Sequence, residues 1–210
     1  MTFKPIASIL GTALVVVALA AMSTPSVADH FSGPSGGGSN PCSTFGRVNA
    51  VDGGTTKWRL QQPFDSAMEG AIRSTITYEF EPTNLDFVEV SPTAHTDIRY
   101  TDKDYSGACG YTWHATGTGQ GASGVIGLYN CFKLQENPGV FFNSCDKSII
   151  RLDTSWFTIV GSLERVFLAC HETGHAVGLK HQSADCLKNT KFPTINTLGT
   201  HSEDEINGFY

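Results

Sequence analysis

The sequence predicts one α+β domain, because two kinds of hydrophobic periodicity alternate along a chain of suitable length. About 180 residues follow an N-terminal apolar segment, which is enough for a single domain with a sizeable core. Segments with a period of two predict strands at residues 56–61, 85–90, 96–100, 124–134 and 148–153. Segments with a helical period predict helices at residues 66–80, 163–177 and 202–210.

Capping and breaking residues predict the limits of two of these helices. Ser66 and Glu69 match a capping box that opens the first helix, and Pro82 ends it. Ser202 and Glu205 match a second capping box, which opens a short C-terminal helix. We therefore expect a serine side chain to cap each of these helices.

The middle helix carries one stripe of apolar or small residues. Its members are Leu163, Val166, Phe167, Cys170, Gly174 and Val177. His171 and His175 border this stripe, so we expect both imidazoles to face inward at the edge of the core.

Two segments lack any periodicity. Residues 105–123 are rich in Gly, Thr and Ser, which is typical of a surface loop. In the segment 189–200, three apolar residues either line a pocket or cap the lower core; they are Phe192, Ile195 and Leu198. Trp58, in the first strand, is expected in the core.

The strongest chemical signal lies between His171 and His181, where the chain reads HETGHAVGLKH and fits the pattern HExxHxxGxxH. Histidines four positions apart on a helix leave the same side, so His171 and His175 can chelate one ion. Glu172 lies one step further round the helix. There it is the candidate general base of a zinc hydrolase rather than a ligand.

A third ligand at His181 requires the chain to leave the helix. Gly178 allows this, because glycine adopts a positive φ without a Cβ clash. Three neutral imidazoles leave the fourth tetrahedral position of a zinc ion to water, whose pKa falls to about 7. The sequence therefore predicts one catalytic Zn²⁺ held by His171, His175 and His181.

The motif resembles the signature of the metzincin zinc endopeptidases, and the layout looks most like a short, secreted matrixin. A strand, a long helix, a strand and then the segment TDIRY at residues 96–100 extend the resemblance over residues 56–210. It implies a twisted, mostly parallel sheet with two long helices, one of them bearing the zinc site. It also implies a smaller C-terminal subdomain that ends in a short helix.

The resemblance further assigns the strand at residues 124–134 to the edge of the sheet along the cleft. Such a strand would bind an extended peptide by strand addition, in which main-chain hydrogen bonds do not select side chains. The alternative is an ordinary core strand.

Two features depart from the matrixin pattern. Leu187 stands where the resemblance places the methionine of a tight turn beneath the zinc, but Leu is close to Met in volume, so the floor of the site should survive. Matrixins also carry calcium and a second, structural zinc near residues 105–123. Here Asp102, Asp104 and His114 form no ligand spacing that we recognise, so bound Ca²⁺ has no motif in its favour.

Residues 1–28 resemble a secretory signal peptide. Lys4 precedes an apolar run at residues 6–21, and a small-x-small pattern predicts cleavage after Ala28. As a membrane anchor this run is short and lacks a basic flank. Residues 29–46, rich in Gly and Ser, are then a flexible leader, and residues 47–210 form the catalytic domain.

Six cysteines follow the signal peptide, which in an exported protein predicts up to three disulfides. The spacing leaves every connectivity open, although a bond from Cys170 to Cys186 would join the metal helix to the turn after His181. The expected pairs are Cys170–Cys186, Cys131–Cys145 and Cys42–Cys109. A cysteine ligand for the zinc is disfavoured, because three histidines already supply the protein's share.

The formal net charge of −6 at pH 7 argues against nucleic-acid and anionic-membrane partners. We expect a secreted monomer that hydrolyses a protein or peptide substrate with Glu172 as general base. Two alternatives stay open. One is a catalytically silent module that binds zinc and peptides, and the other is a zinc hydrolase of a non-peptide amide.

Overall fold

The computed structural model describes residues 51, 53–61, 64–102, 126–135, 144–153, 161–190 and 193–210. Several predictions concern residues outside these ranges, namely the signal peptide, the leader, the Cys42–Cys109 pair, the loop 105–123 and Phe192.

A five-stranded sheet forms the centre of the described structure. Its strands are β1 (Thr55–Leu60), β2 (Asp86–Glu89), β3 (Ile98–Thr101), β4 (Gly127–Gln135) and β5 (Ser144–Leu152). They lie in the order β2-β1-β3-β5-β4, and all neighbouring pairs are parallel except β4 with β5. The prediction of an α+β fold with a mostly parallel sheet is confirmed, and β4 lies at one edge of this sheet.

The strand predicted at residues 148–153 is longer than its apolar alternation indicated. β5 already begins at Ser144, and its first residues pair with β4 through a register irregularity around Lys133. A disulfide between Cys131 and Cys145 joins the two strands there. Polar residues such as Asp146 interrupt the alternation, so pairing with a neighbour rather than local pattern extends this strand.

Three helices accompany the sheet. They are α1 (Ser66–Thr75), which continues as a π-helical turn over Ile76–Phe80, α2 (Ser162–Ala176) and α3 (Thr200–Phe209). No helix in the described ranges combines the length and the apolarity needed to cross a bilayer.

The predicted serine caps are both wrong. Asp65, one residue earlier than predicted, caps α1 by accepting a hydrogen bond from the backbone N–H of Met68 at 2.7 Å. Ser202 lies inside the first turn of α3, and its hydroxyl donates to Asp185 instead. Gly199 is the N-cap of α3 and offers no side chain. A carboxylate thus replaces the predicted hydroxyl at α1, whereas α3 begins without a side-chain cap.

The stripe predicted on α2 also needs correction at its beginning. Leu163, in the first turn, is 39% exposed, and burial begins at Phe167. From Phe167 to Gly174 every residue is buried. This central part of α2 therefore has neighbours on all sides rather than along one stripe.

The same face of the sheet contacts α1 and α2. Trp58 on β1 is buried as predicted and packs edge-to-face on Tyr100 of β3, with ring centroids 5.9 Å apart. Arg73 of α1 lies over the Trp58 ring at 5.6 Å. The Tyr100 hydroxyl shares a buried 2.9 Å hydrogen bond with Thr173 of α2. This bond fixes the height of α2 above the sheet.

We expect Tyr100→Phe to lower the free energy of unfolding by about 1–3 kcal/mol, because it leaves the buried Thr173 hydroxyl without this partner. Chemical denaturation of the purified protein measures the change. Tyr78→Phe is the matched control, since Tyr78 is 73% exposed, and its effect should stay within about 0.5 kcal/mol. Equal effects of the two substitutions would contradict this role of Tyr100.

Candidate metal centre

Two of the three predicted ligands lie on α2, and the third follows its end. His171 and His175 are one turn apart, and the chain leaves the helix at Gly178 with φ 105°. The N–H groups of Gly178 and Leu179 donate to the carbonyls of His175 and Gly174 at 3.2 and 2.9 Å. This is the Schellman pattern that a glycine in the left-handed region permits. The predicted function of Gly178 is confirmed.

The three imidazoles converge on one point. Nε2 of His171 lies 3.1 Å from Nε2 of His175 and 3.2 Å from Nε2 of His181. One ligand atom from each residue lies within 4.8 Å of the others, so the cluster could hold a metal ion. For comparison, nitrogen ligands about 2.0–2.1 Å from one tetrahedral zinc ion are about 3.3 Å apart.

Backbone carbonyls determine which ring nitrogens carry hydrogen. Nδ1 of His171 lies 2.8 Å from the Cys186 carbonyl oxygen, and Nδ1 of His175 lies 2.8 Å from the Leu179 carbonyl oxygen. A carbonyl only accepts, so each Nδ1 is the donor and each neutral ring has a bare lone pair on Nε2. Two bare lone pairs 3.1 Å apart cannot form a hydrogen bond with each other. This donor set therefore fits a cation and suits the metals that imidazole prefers.

Burial keeps these imidazoles neutral. It lowers the pKa of His171 well below its usual value, and the neighbouring His175 lowers it further. Burial also lowers the pKa of His175 to about 4 and that of His181 below its ordinary value. Exposure increases from His171 through His175 to His181, so the cluster opens to solvent beside His181.

Glu172 lies next to the cluster but is not part of it. Its carboxyl group is buried beneath the edge strand, where the backbone N–H of Tyr129 donates to it. Burial raises the pKa of Glu172 to about 8, and the hydrogen bond from Tyr129 acts in the opposite direction. A Cβ atom on Gly127 would lie 2.5 Å from Oε1 of Glu172 and 2.6 Å from Cδ1 of Leu168. β4 therefore approaches this carboxylate as closely as only glycine allows.

The turn after His181 supports the helix from the other side. A disulfide joins Cys170 to Cys186, which is one of the expected pairs. Leu187 is fully buried, and its side chain packs against Gly174, where an added Cβ would meet it at 2.9 Å. Leu187 is therefore an apolar contact of the helix that carries His171 and His175.

The structure brings three predicted site residues together in one cluster, namely His171, His175 and His181, and it buries the carboxyl group of Glu172 against β4, outside that cluster. Sequence reasoning missed Gly127 and Asp185. The signal that could have identified Gly127 is a glycine inside a predicted strand, which indicates close approach of another group to the backbone. The signal that could have identified Asp185 is an Asp side chain that can close a turn with the backbone two residues on, at Leu187.

Comparisons with known proteins do not assign this chain to a family. No protein-family model matches this chain, and a search of curated proteins found no significant match. Any functional conclusion therefore depends on the geometry of the site.

We expect His181→Ala to weaken zinc binding more than about 100-fold, which exceeds the loss typical of residues behind the ligands. Competition with a chromophoric chelator measures the affinity, and elemental analysis after dialysis measures the content. His201→Ala is the control, because His201 is a half-exposed histidine on α3 near Glu205 and outside the cluster. Wild-type zinc affinity in His181→Ala would exclude this residue as a ligand.

Proposed function

We propose that this protein is a secreted, zinc-dependent endopeptidase of the metzincin type. The observation that carries this proposal is the convergence of three imidazole nitrogens on one point, together with the buried carboxyl group of Glu172, which follows the first ligand in the sequence and is outside the cluster. In closed structural zinc sites the protein supplies four ligands, whereas hydrolytic sites keep one position open. The described residues supply three.

His171, His175 and His181 would hold the zinc ion. When bound, zinc supplies Lewis acidity, which polarises a carbonyl group and makes water easier to deprotonate. Neutral imidazoles need no deprotonation before they bind a cation, and the lowered pKa values keep them neutral at pH 7.

Glu172 would serve as the general base and then as the general acid. Its buried position favours the protonated form, whereas the hydrogen bond from the Tyr129 N–H favours the carboxylate, as would a cation held by the three histidines. These opposing effects bring its proton affinity toward the neutral range, in which one group can accept a proton from water and pass it to a leaving amine. The N–H of Tyr129 holds the carboxylate in place during both transfers.

A peptide substrate fits the position of β4. This strand is the edge of the described sheet, and it begins at Gly127, beside Glu172. An extended peptide that adds to such an edge by main-chain hydrogen bonds would pass the carboxylate with its backbone. This supports hydrolysis of peptide bonds in proteins or peptides over hydrolysis of a small non-peptide amide.

Export and the finer fold assignment are part of the same proposal. Two disulfides in the described structure are weakly consistent with an extracellular location. The N-terminal apolar run with its cleavage pattern supports the same location. We assign α3 and the segment before it to the smaller C-terminal subdomain of the metzincin type.

We expect Glu172→Gln to retain zinc and to lose about 10²- to 10⁴-fold in kcat on denatured casein, because no ligand changes while the acid–base group is removed. Zinc content and casein hydrolysis are measured on the same preparation, with a chelator-treated sample as background. Casein, a short blocked peptide and an N-acylated small amide are assayed side by side to identify the substrate class. A variant that digests casein at the parent rate would falsify the mechanism, and a parent protein that retains zinc but cleaves none of the three would indicate a silent binding module.

We expect Gly127→Ala to lower kcat on casein while zinc affinity stays at the parent value. The new methyl group would collide with the Glu172 carboxylate and with Leu168, so the base must move, whereas the histidine cluster is untouched. A loss of about 10²-fold is the scale for a misplaced catalytic group. Gly70→Ala is the control, because nothing lies within 4 Å of its added Cβ. Parent activity in Gly127→Ala would show that the close approach does not position Glu172.

A further inference from the structure

A buried carboxylate outside the histidine cluster lies between α3 and the turn that holds His171. This group belongs to Asp185, which is 2% exposed. In the described part of the chain, no lysine, arginine or histidine forms an ion pair with it. A buried polar group of this kind must be stabilised by hydrogen bonds and dipoles.

Four groups donate hydrogen bonds to the Asp185 carboxylate. Oδ1 accepts from the backbone N–H of Leu187 at 2.7 Å. Oδ2 accepts from the hydroxyl of Ser202 at 2.7 Å and from the backbone N–H of Gly199 at 3.2 Å. The side-chain amide of Gln182 is the fourth donor. An ionised carboxylate only accepts hydrogen bonds and has about four lone-pair sites, so its two oxygens together can accept from all four donors.

Two of these donors belong to the N-terminus of α3. Gly199 is the N-cap and Ser202 lies in the first turn, where backbone N–H groups carry partial positive charge. The preceding N–H, that of Leu198, donates to the Glu79 carboxylate at 2.8 Å. Consecutive N–H groups at this helix start therefore bind carboxylates from two different parts of the chain. These contacts supply the anchoring that the helix's own N-cap residue lacks.

Oδ1 of Asp185 is linked to His171 through the turn over residues 185–187. Its bond to the Leu187 N–H closes a turn in which an Asp side chain binds the backbone two residues on. Cys186 is the central residue of this turn, and its carbonyl oxygen accepts from Nδ1 of His171 at 2.8 Å. The N–H of Cys186 donates to the carbonyl of Thr197, just before α3, at 2.9 Å.

We propose that Asp185 is a positioning residue for the metal centre. Its carboxylate holds the start of α3 and the turn together, and it thereby keeps the Cys186 carbonyl against His171. The strength and the geometry of metal binding then depend on α3, although none of its residues belongs to the cluster. This inference rests on the metal site in the proposed function and extends that site beyond its ligands.

The test replaces Asp185 by Asn. The amide keeps one acceptor oxygen for Leu187 but turns an N–H₂ group toward the donors of Gly199 and Ser202, so the link to α3 is lost. We expect zinc affinity to fall about 10–100-fold, as when other partners behind metal ligands are removed. The visible absorption spectrum of the Co²⁺-substituted protein, which reports ligand geometry, should change as well.

Asp204→Asn is the matched control, because it makes the same chemical change at an exposed position on α3. Its zinc affinity and Co²⁺ spectrum should equal those of the parent protein. If Asp185→Asn does not fold, Ser202→Ala decides the question, since it removes one donor to the carboxylate. That variant should show a smaller loss of affinity and a spectral change in the same direction.

Parent zinc affinity and an unchanged Co²⁺ spectrum in the folded Asp185→Asn variant, or in Ser202→Ala if it stands in, would overturn this inference alone. A parent protein that binds zinc but cleaves no peptide would overturn the proposed function and leave this inference in place. A parent protein that binds neither ion would overturn both.

Discussion

The convergence of three imidazole rings is the constraint on which the rest of the site depends. The carbonyls of Cys186 and Leu179 bind the outer nitrogens of His171 and His175, so the Nε2 atoms of these rings approach to 3.1 Å with no hydrogen between them. Lone pairs in this arrangement repel each other without a shared cation. The surrounding structure must therefore hold the rings in place.

Each attachment of α2 contributes to that rigidity. Tyr100 fixes the helix to the sheet through Thr173, and the Cys170–Cys186 disulfide fixes it to the turn on the opposite side. Leu187 fills the space beneath Gly174. Sites built on packed helices keep ligand geometry within narrower limits than sites on loops, and a chelating centre needs this precision.

The proposed base and the proposed substrate edge form one unit. Glu172 extends from α2 to β4, where the N–H of Tyr129 and the bare backbone of Gly127 surround its carboxyl group. Because β4 both contacts Glu172 and lies at an edge of the sheet, a peptide that adds to this edge would lie next to the proposed base. Burial raises the pKa of this acid, and the hydrogen bond from the Tyr129 N–H offsets part of the cost of desolvating the carboxylate.

The sequence by itself determined which three histidines converge and where the chain leaves the helix, at Gly178. Helical spacing and the positive φ of glycine are local properties, so they could be predicted without knowledge of neighbours. Only the tertiary structure decided the helix caps, the extension of β5 and the hydrogen bonds of Asp185 to the start of α3. Ser202 donates to a carboxylate 17 residues away because α3 packs against that turn. Contacts of this kind depend on how elements meet in space, and no local pattern contains that information.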